Sequence, residues 1–263
     1  YFKNGITKIN NFKIKKILEH SIYDGKCIRG YITKYVMNTL SNNTRDTDIP
    51  IFIVELLQAI SLVLDDLPCM DNALTRRKKK TSHLKFGEAE TILTSIYIIN
   101  HINKLLLEEL CKLEDDISFY YDKQLIKSKT DILLKVTEIC LQQFGQNIIL
   151  GQLLDLDIDY FDLLKNNILY NTYDKNILTI ILKTSSMFSV AFLLGAVFSQ
   201  NTSLDLKDFV DMGLHLGILY QIVDDLIDYE TDKDISFNYI REVGVKNYEN
   251  IYLINKIKLL YLL

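Results

Sequence analysis

Proline occurs twice and glycine ten times in 263 residues. So few turn-forming residues exclude a sandwich or barrel of many short strands. Cysteine occurs four times, at Cys27, Cys69, Cys111 and Cys140. No two form a CxxC pair, and the four histidines form no HxxxH, so a zinc site is not expected. Scattered single cysteines read as reduced thiols. Basic excess is also missing: 30 Lys+Arg stand against 34 Asp+Glu, which leaves no electrostatic footprint for nucleic acid. Internal repeats and Pro/Gly/Ser linkers are absent, and one domain over 1–263 is the expectation. The stretch from Thr184 to Leu204 carries no charge. Its strongly apolar part, Met187 to Phe198, is shorter than a bilayer span and reads as a buried helix, not a stable membrane anchor.

Long helices fit what remains. Ile51 to Leu67 and Phe209 to Ile227 are apolar nearly all round, as helices in the middle of a bundle are. Asn100 to Leu113 and Asp131 to Ile149 show three- and four-residue steps of amphipathic helices. Ser41–Asp48 is polar and loop-like, and Pro50 suits the first turn of the next helix. The run Lys78-Lys79-Lys80 after Arg76-Arg77 reads by itself as a solvated loop. The expected class is all-α.

The two apolar helices each end in a carboxylate cluster: Asp65-Asp66-Leu67-Pro68-Cys69-Met70-Asp71, and Asp224-Asp225-Leu226-Ile227-Asp228. Asp224 and Asp228 are four apart and share a helical face. Asp65 and Asp71 are six apart and do not, unless Pro68 breaks the helix and turns Asp71 back. Ionised carboxylates beside apolar residues are costly without compensation. Oxygen-only donors point to Mg²⁺, which keeps waters and shares substrate phosphates. An acidic helix end facing water explains one cluster, but less readily two. Asp155-x-Asp157-x-Asp159 opens like a calcium loop. Tyr160 stands where glycine is needed and Asn166 where the bidentate Glu belongs, so no EF-hand is expected. Glu114-Asp115-Asp116 reads as a surface turn. Arg76 and Arg77, Lys26 and Arg29 in Gly25-Lys26-Cys27-Ile28-Arg29-Gly30, and Lys183 supply donors suited to phosphate. Two acidic clusters with dispersed cations suggest two diphosphates, one held through metal and one directly.

From Ile17 to Asp228 the chain resembles the trans-isoprenyl diphosphate synthases, the family of farnesyl and geranylgeranyl diphosphate synthases. The resemblance rests on Val54-Glu55-Leu56-Leu57-Gln58, the Asp65–Asn72 cluster, Thr75-Arg76-Arg77, His83 with Phe86-Gly87-Glu88, Gly151-Gln152-Leu153-Leu154-Asp155, Lys183-Thr184, and Gly217–Asp228. The first cluster is closest to that of plastid-type geranylgeranyl diphosphate synthases. The resemblance implies an isoprenoid-synthase helical bundle around a deep central cavity, a homodimer, and condensation of an allylic diphosphate with isopentenyl diphosphate. It implies that Asp65, Asp66, Asp71, Asp224, Asp225 and Asp228 gather three Mg²⁺ ions on the allylic diphosphate, helped by Arg76 and Lys183. Lys26, Arg29, Gln58 and Arg77 would hold isopentenyl diphosphate. Thr184 and Gln221 would place oxygen dipoles near the developing cation. Ile60, Ser61 and Leu57 would set chain length, with C20 favoured because neither Ile60 nor Ser61 is aromatic.

Departures from the family pattern are specific. Lys78 stands where Gly is usual, Lys80 where Pro is common, Leu64 where His is frequent, and Gln58 where this subgroup more commonly has His. Thr94-Ser95-Ile96 stands for Ala-Gly-Asp, and the lysines usual after Asp228 are missing, as if a loop near 230 were absent. A non-catalytic regulatory subunit of a heteromeric synthase is the rival reading. A class I terpene cyclase would need no second diphosphate pocket, against which Lys26, Arg29 and Arg77 stand. Localisation is not written in the sequence; an organelle with a removed leader before Tyr1, or the cytoplasm, both accord with it.

Overall fold

The computed structural model describes residues 6, 9–22, 25–41, 48–156, 174–229, 239–240 and 244–262. The loop-like stretch at 42–47, the calcium-loop comparison at 157–166 and the expected loop loss near 230 fall outside these residues. The class is all-α, as the scarcity of turn residues requires. In chain order the helices are α1 (Phe12–Ile22), α2 (Ile28–Leu40), α3 (Ile49–Asp65), α4 (Ser82–Phe86), α5 (Glu88–Leu110), α6 (Lys129–Cys140), α7 (Ile148–Asp155), α8 (Lys175–Thr179), α9 (Ser186–Ser199), α10 (Leu206–Asp228) and α11 (Val245–Leu262). A π-helical turn, Leu141–Asn147, joins α6 to α7, and another, Ile180–Ser185, joins α8 to α9. Widened turns of this kind are rare and tend to occur at functional sites. Two small antiparallel hairpins interrupt the helices: β1 (Thr75–Arg76) with β2 (Lys79–Lys80), and β3 (Phe119–Tyr121) with β4 (Gln124–Ile126).

The chain forms two compact units, neither contiguous in sequence: Tyr1–Phe119 with Ile126–Thr137 and Leu194–Thr202, and Tyr120–Leu125 with Glu138–Leu193 and Ser203–Leu263. In the first unit α3 is the central helix and packs against α1, α2 and α5. Its Phe52, Ile53, Val54 and Leu56 are fully buried, each such side chain contributing about 1.5–3 kcal/mol by leaving water. Pro50 occupies its first turn, as expected. Lys13 pairs with Glu90 at 2.8 Å and ties α1 to the start of α5.

In the second unit α10 packs against both the Ile180–Ser185 turn and α11. His215 Nδ1 lies 2.8 Å from Asn255 Oδ1 across the α10–α11 contact. Ile177, Ile180, Ile218, Ile222 and Tyr239 form one buried cluster. Burial of α10 is not complete: Val223, Leu226 and Ile227, read as part of an all-round apolar helix, are 39%, 48% and 70% exposed. The helix from Lys175 to Ser199 runs 25 residues through its π turn and is long and apolar enough to cross a membrane. That is longer than the Met187–Phe198 stretch suggested, yet 83% of its most apolar window is buried within the protein, as a core helix.

The Lys78–Lys80 run is exposed, as expected, but it is a hairpin turn and strand and not a plain loop. Arg77 and Lys78 take φ of 52° and 63°, the left-handed pair of a two-residue hairpin turn normally supplied by Asn-Gly. Lys78, where the resemblance has Gly, therefore carries backbone strain of about 1 kcal/mol. Lys78→Gly is expected to relieve it, partly offset by glycine's looser unfolded chain. The expected net gain is roughly 0.5 kcal/mol, or about 1–2 °C in Tm. Calorimetry showing no rise would remove the strain assignment.

Candidate functional site

The first carboxylate cluster is built by the end of α3. The helix stops at Asp65, and Pro68 prevents its continuation. Asp66 and Leu67 still bond back to Leu62 and Leu64, after which the chain folds over. The N–H of Asp71 then donates to the Asp65 carbonyl at 2.9 Å. The turn proposed for Pro68 thus brings Asp71 back beside Asp65. Both present themselves to solvent, Asp65 half-buried and Asp71 exposed. Asp66 differs. It is 3% exposed, and Arg76 forks Nε and Nη2 onto its Oδ1, both at 2.7 Å. Burial lowers the Arg76 pKa, but the bond to Asp66 and the charges of Asp66, Asp65 and Asp71 outweigh it and hold the guanidinium above its ordinary value. Arg76 is thereby the local counter-charge of the whole cluster, and Asp66 is its anchor.

Arg77 points elsewhere. Its Nη1 donates to the carbonyls of Ser21 and Ile22 at 3.3 and 3.4 Å, at the end of α1. A Cβ on Gly25 would sit 3.0 Å from that nitrogen. Arg77 is therefore seated on the loop that carries the exposed Lys26 and leads into Arg29 on α2. Glu55, buried in α3, accepts the Gly30 N–H at 2.7 Å. Burial first, then the Glu55 carboxylate, raises the Cys27 pKa, with Arg77 opposing. Gln58 follows Glu55 by one turn and is half-buried on the same helix. The four residues expected to hold one diphosphate thus come from neighbouring elements, and Glu55 organises the loop among them. Sequence reasoning gave Glu55 no role; its signal was a lone acid within an apolar helix. Arg76 and Arg77 also line a small cleft of about 30 Å³ with His20, Asp66, Lys79 and Lys80.

Of the chain-length candidates, Ile60 and Leu57 are buried at 3% and 5% exposed. Ser61 is half-buried, donates to the Gln58 carbonyl at 3.1 Å, and sits one turn before Asp65.

In the second unit the site depends on glycine. A Cβ on Gly213 would lie 2.3 Å from Ser189 Cα, and one on Gly217 would lie 2.4 Å from Ser185 Cα. Only glycine lets α10 approach that backbone so closely. Gly213, Gly217, Gln221 and Asp225 repeat every four residues and share a face. The next position on that face, Gln221, therefore meets Thr184 of the π turn, whose Oγ1 donates to Gln221 Oε1 at 2.9 Å. Gln221 Nε2 in turn donates to Asp225 Oδ1 at 2.8 Å, and the Tyr239 N–H donates to Asp225 Oδ2 at 2.7 Å. Asp225 is 5% exposed; Asp224 and Asp228 are half-buried on the outer part of the helix. Gly151 plays a matching part on α7, since a Cβ there would lie 2.6 Å from the Lys183 nitrogen. That approach lets Asp155 reach Lys183 Nζ at 2.6 Å.

Among the described residues no three His, Cys, Asp or Glu side chains converge to hold an ion by themselves. The carboxylates stand in pairs, Asp65 with Asp71 and Asp224 with Asp228. Such a donor set fits Mg²⁺, which binds through one or two carboxylates and completes its shell with water and substrate phosphate.

A family model described as Polyprenyl synthetase matches residues 11–236. The farnesyl diphosphate synthase of Bacillus subtilis (strain 168) is 26% identical over 223 residues, 84% of this chain and 68% of that protein. The geranylgeranyl diphosphate synthase of Pseudescherichia vulneris is 31% identical over 183 residues, 69% of this chain and 52% of that protein. The chain thus spans between about half and two thirds of these relatives' length. In fold it is similar to a geranyltransferase from Legionella pneumophila, with a TM-score of 0.72 at 21% identity over 100% of this chain and 85% of that one.

Gly217→Ala tests the close approach. Alanine is the better helix former by about 1 kcal/mol, yet overpacking against Ser185 should make the variant less stable by roughly 1–3 kcal/mol. Chemical denaturation showing equal or greater stability would contradict the assignment.

Proposed function

The chain belongs to the polyprenyl synthetase family, and on that premise we propose that it is a Mg²⁺-dependent prenyltransferase. It condenses an allylic diphosphate with isopentenyl diphosphate. The observation that carries this reading is the presentation of paired outward carboxylates, Asp65 with Asp71 and Asp224 with Asp228, beside separate cationic groups. Asp65 with Asp71, and Asp224 with Asp228, would each offer a carboxylate pair to Mg²⁺ carrying a diphosphate. Asp66 and Asp225 support them from within. When bound, Mg²⁺ supplies Lewis-acid and template chemistry to the leaving diphosphate. Lys183, tethered by Asp155, adds positive charge for the same group. Lys26, Arg29, Gln58 and Arg77 hold isopentenyl diphosphate. Thr184 and Gln221 aim oxygen dipoles at the allylic cation, pre-set by their mutual bond and needing no reorganisation.

The relatives' names include farnesyl and geranylgeranyl diphosphate synthases, and C20 is the proposed main product. Small Ser61 on the face of Gln58 and Asp65 supports a site open to a longer tail. A homodimer is proposed as well, supported by the exposed apolar stripe Leu93, Ile96 and Tyr97 on α5. The direct test incubates the protein with Mg²⁺, isopentenyl diphosphate and labelled farnesyl diphosphate and separates products by length. Binding of both diphosphates without turnover would favour the rival reading of a regulatory subunit.

Asp65→Ala and Asp224→Ala should each lower turnover by orders of magnitude. Removing one of several clustered acids relieves repulsion, so metal-free thermal stability should hold or rise. Stability lost with turnover unchanged would mark these acids as structural.

Lys26→Ala and Arg29→Ala should raise the apparent requirement for isopentenyl diphosphate, and Lys183→Ala that for the allylic substrate. Each lost charge-assisted contact is worth roughly 1.5–3 kcal/mol, about tenfold to a hundredfold. Equal effects on both substrates in steady-state kinetics would sink the two-pocket assignment.

Ile60→Tyr should shift products toward C15, because extra volume in a filled interior is not easily accommodated. Product chromatography unchanged in an active variant would place Ile60 outside the path of the growing chain.

A further inference from the structure

We propose that Asp225 is a positioning residue and not a metal ligand: together with the Tyr239 N–H it fixes which end of the Gln221 amide faces Thr184. The proposal rests on the prenyltransferase reading for the chemistry of Gln221, and on geometry alone for the relay. Asp224 and Asp225 are neighbours in sequence yet occupy different surroundings. Asp224 is half-buried. Asp225 is 5% exposed, and both its oxygens already accept hydrogen bonds, Oδ1 from Gln221 at 2.8 Å and Oδ2 from Tyr239 at 2.7 Å. An ion binding there would have to enter a buried site and compete for oxygens already engaged in bonds to a charged acceptor, which are among the stronger ones.

An amide side chain can present oxygen or nitrogen to a neighbour, and the network decides which. An ionised carboxylate only accepts, so the end of Gln221 facing Asp225 must be the NH₂. The carbonyl oxygen is then forced toward Thr184, where a partial negative charge is useful beside a cation and an NH₂ would be harmful. The second oxygen of Asp225 extends the relay to a segment 14 residues further on. Tyr239 is fully buried in the cluster with Ile177, Ile180, Ile218 and Ile222, so its N–H is a fixed donor. The Tyr239 N–H thereby holds the carboxylate in place against the Gln221 NH₂.

The test uses the full chain and the variants Asp225→Asn, Asp224→Asn, Gln221→Leu and the double variant Gln221→Leu/Asp225→Asn. Three properties are read: the rise in Tm caused by Mg²⁺ with inorganic diphosphate, amide exchange at Tyr239, and steady-state kinetics. For Asp225→Asn the relay predicts a Tm rise like that of the unaltered chain. Asparagine keeps one acceptor oxygen: facing Tyr239, it leaves exchange slow while its NH₂ turns the Gln221 amide round and kcat falls about tenfold to a hundredfold; facing Gln221, it keeps kcat while Tyr239 exchanges at least tenfold faster; KM and the Mg²⁺ requirement are unchanged in both. The double variant should be no slower than Gln221→Leu alone. Asp224→Asn should lose the Tm rise and leave Tyr239 exchange unchanged. The proposal is overturned if Asp225→Asn loses the Tm rise as Asp224→Asn does, or if it changes neither kcat nor Tyr239 exchange. If the unaltered chain shows no turnover, the prenyltransferase reading fails, while the exchange and Tm arms still decide the relay. Should Asp225→Asn not fold, Gln221→Leu with unchanged Tyr239 exchange and a retained Tm rise is the expected result, and loss of that rise overturns the proposal.

Discussion

The approach of α10 to the backbone of the π turn is the constraint on which the second half of the site depends. It exists because Gly213 and Gly217 have no Cβ to strike Ser189 and Ser185. With a Cβ at either position the helix would have to back away from that backbone, drawing Gln221 away from Thr184. The same arrangement recurs where Gly151 of α7 meets Lys183. Polar groups are thus aligned by apolar, side-chain-free contact one turn away. Such contact is stiff because interiors are close-packed, and stiffness is what an array of oxygen dipoles needs to act without reorganising.

The two aspartate motifs follow one logic by different means. In each, the middle acid turns inward and is buried: Asp66 onto Arg76, Asp225 onto Gln221 and the Tyr239 N–H. The outer acids are less buried, Asp71 exposed and Asp65, Asp224 and Asp228 half-buried. Burying one carboxylate with full compensation fixes the backbone from which its neighbours project. In the second motif regular helical spacing aligns the outer pair. In the first the chain breaks at Pro68, and the Asp71–Asp65 backbone bond does the same work.

Much of this was legible in the sequence. Scarcity of Pro and Gly gave the helical class, Pro68 gave the return of Asp71, and the four-residue step gave the Asp224–Asp228 face. The equal treatment of all six acids was not refined by sequence, because burial of the middle ones depends on partners 10 and 14 residues away. The π turns leave no sequence period to detect. Neither hairpin was visible, because Arg77-Lys78 and Asp122-Lys123 take left-handed φ without glycine. The second is held by Asp205, whose carboxylate accepts the N–H groups of Asp122 and Lys123 from more than 80 residues away while capping α10. Long-range capping of a strained turn has no local signature.

The central proposal is that the carboxylates hold Mg²⁺ as an ion shared with a diphosphate, because Mg²⁺ binds through one or two carboxylates and completes its shell with water and substrate phosphate. Thermal unfolding with Mg²⁺ alone, inorganic diphosphate alone, and both together tests it most directly. A ligand that binds only the folded chain at about a hundred times its Kd stabilises by about 2.7 kcal/mol. The account predicts a clear rise in Tm for the combination, and little for either component alone. A saturable rise with Mg²⁺ alone, equal to that of the combination, would contradict it.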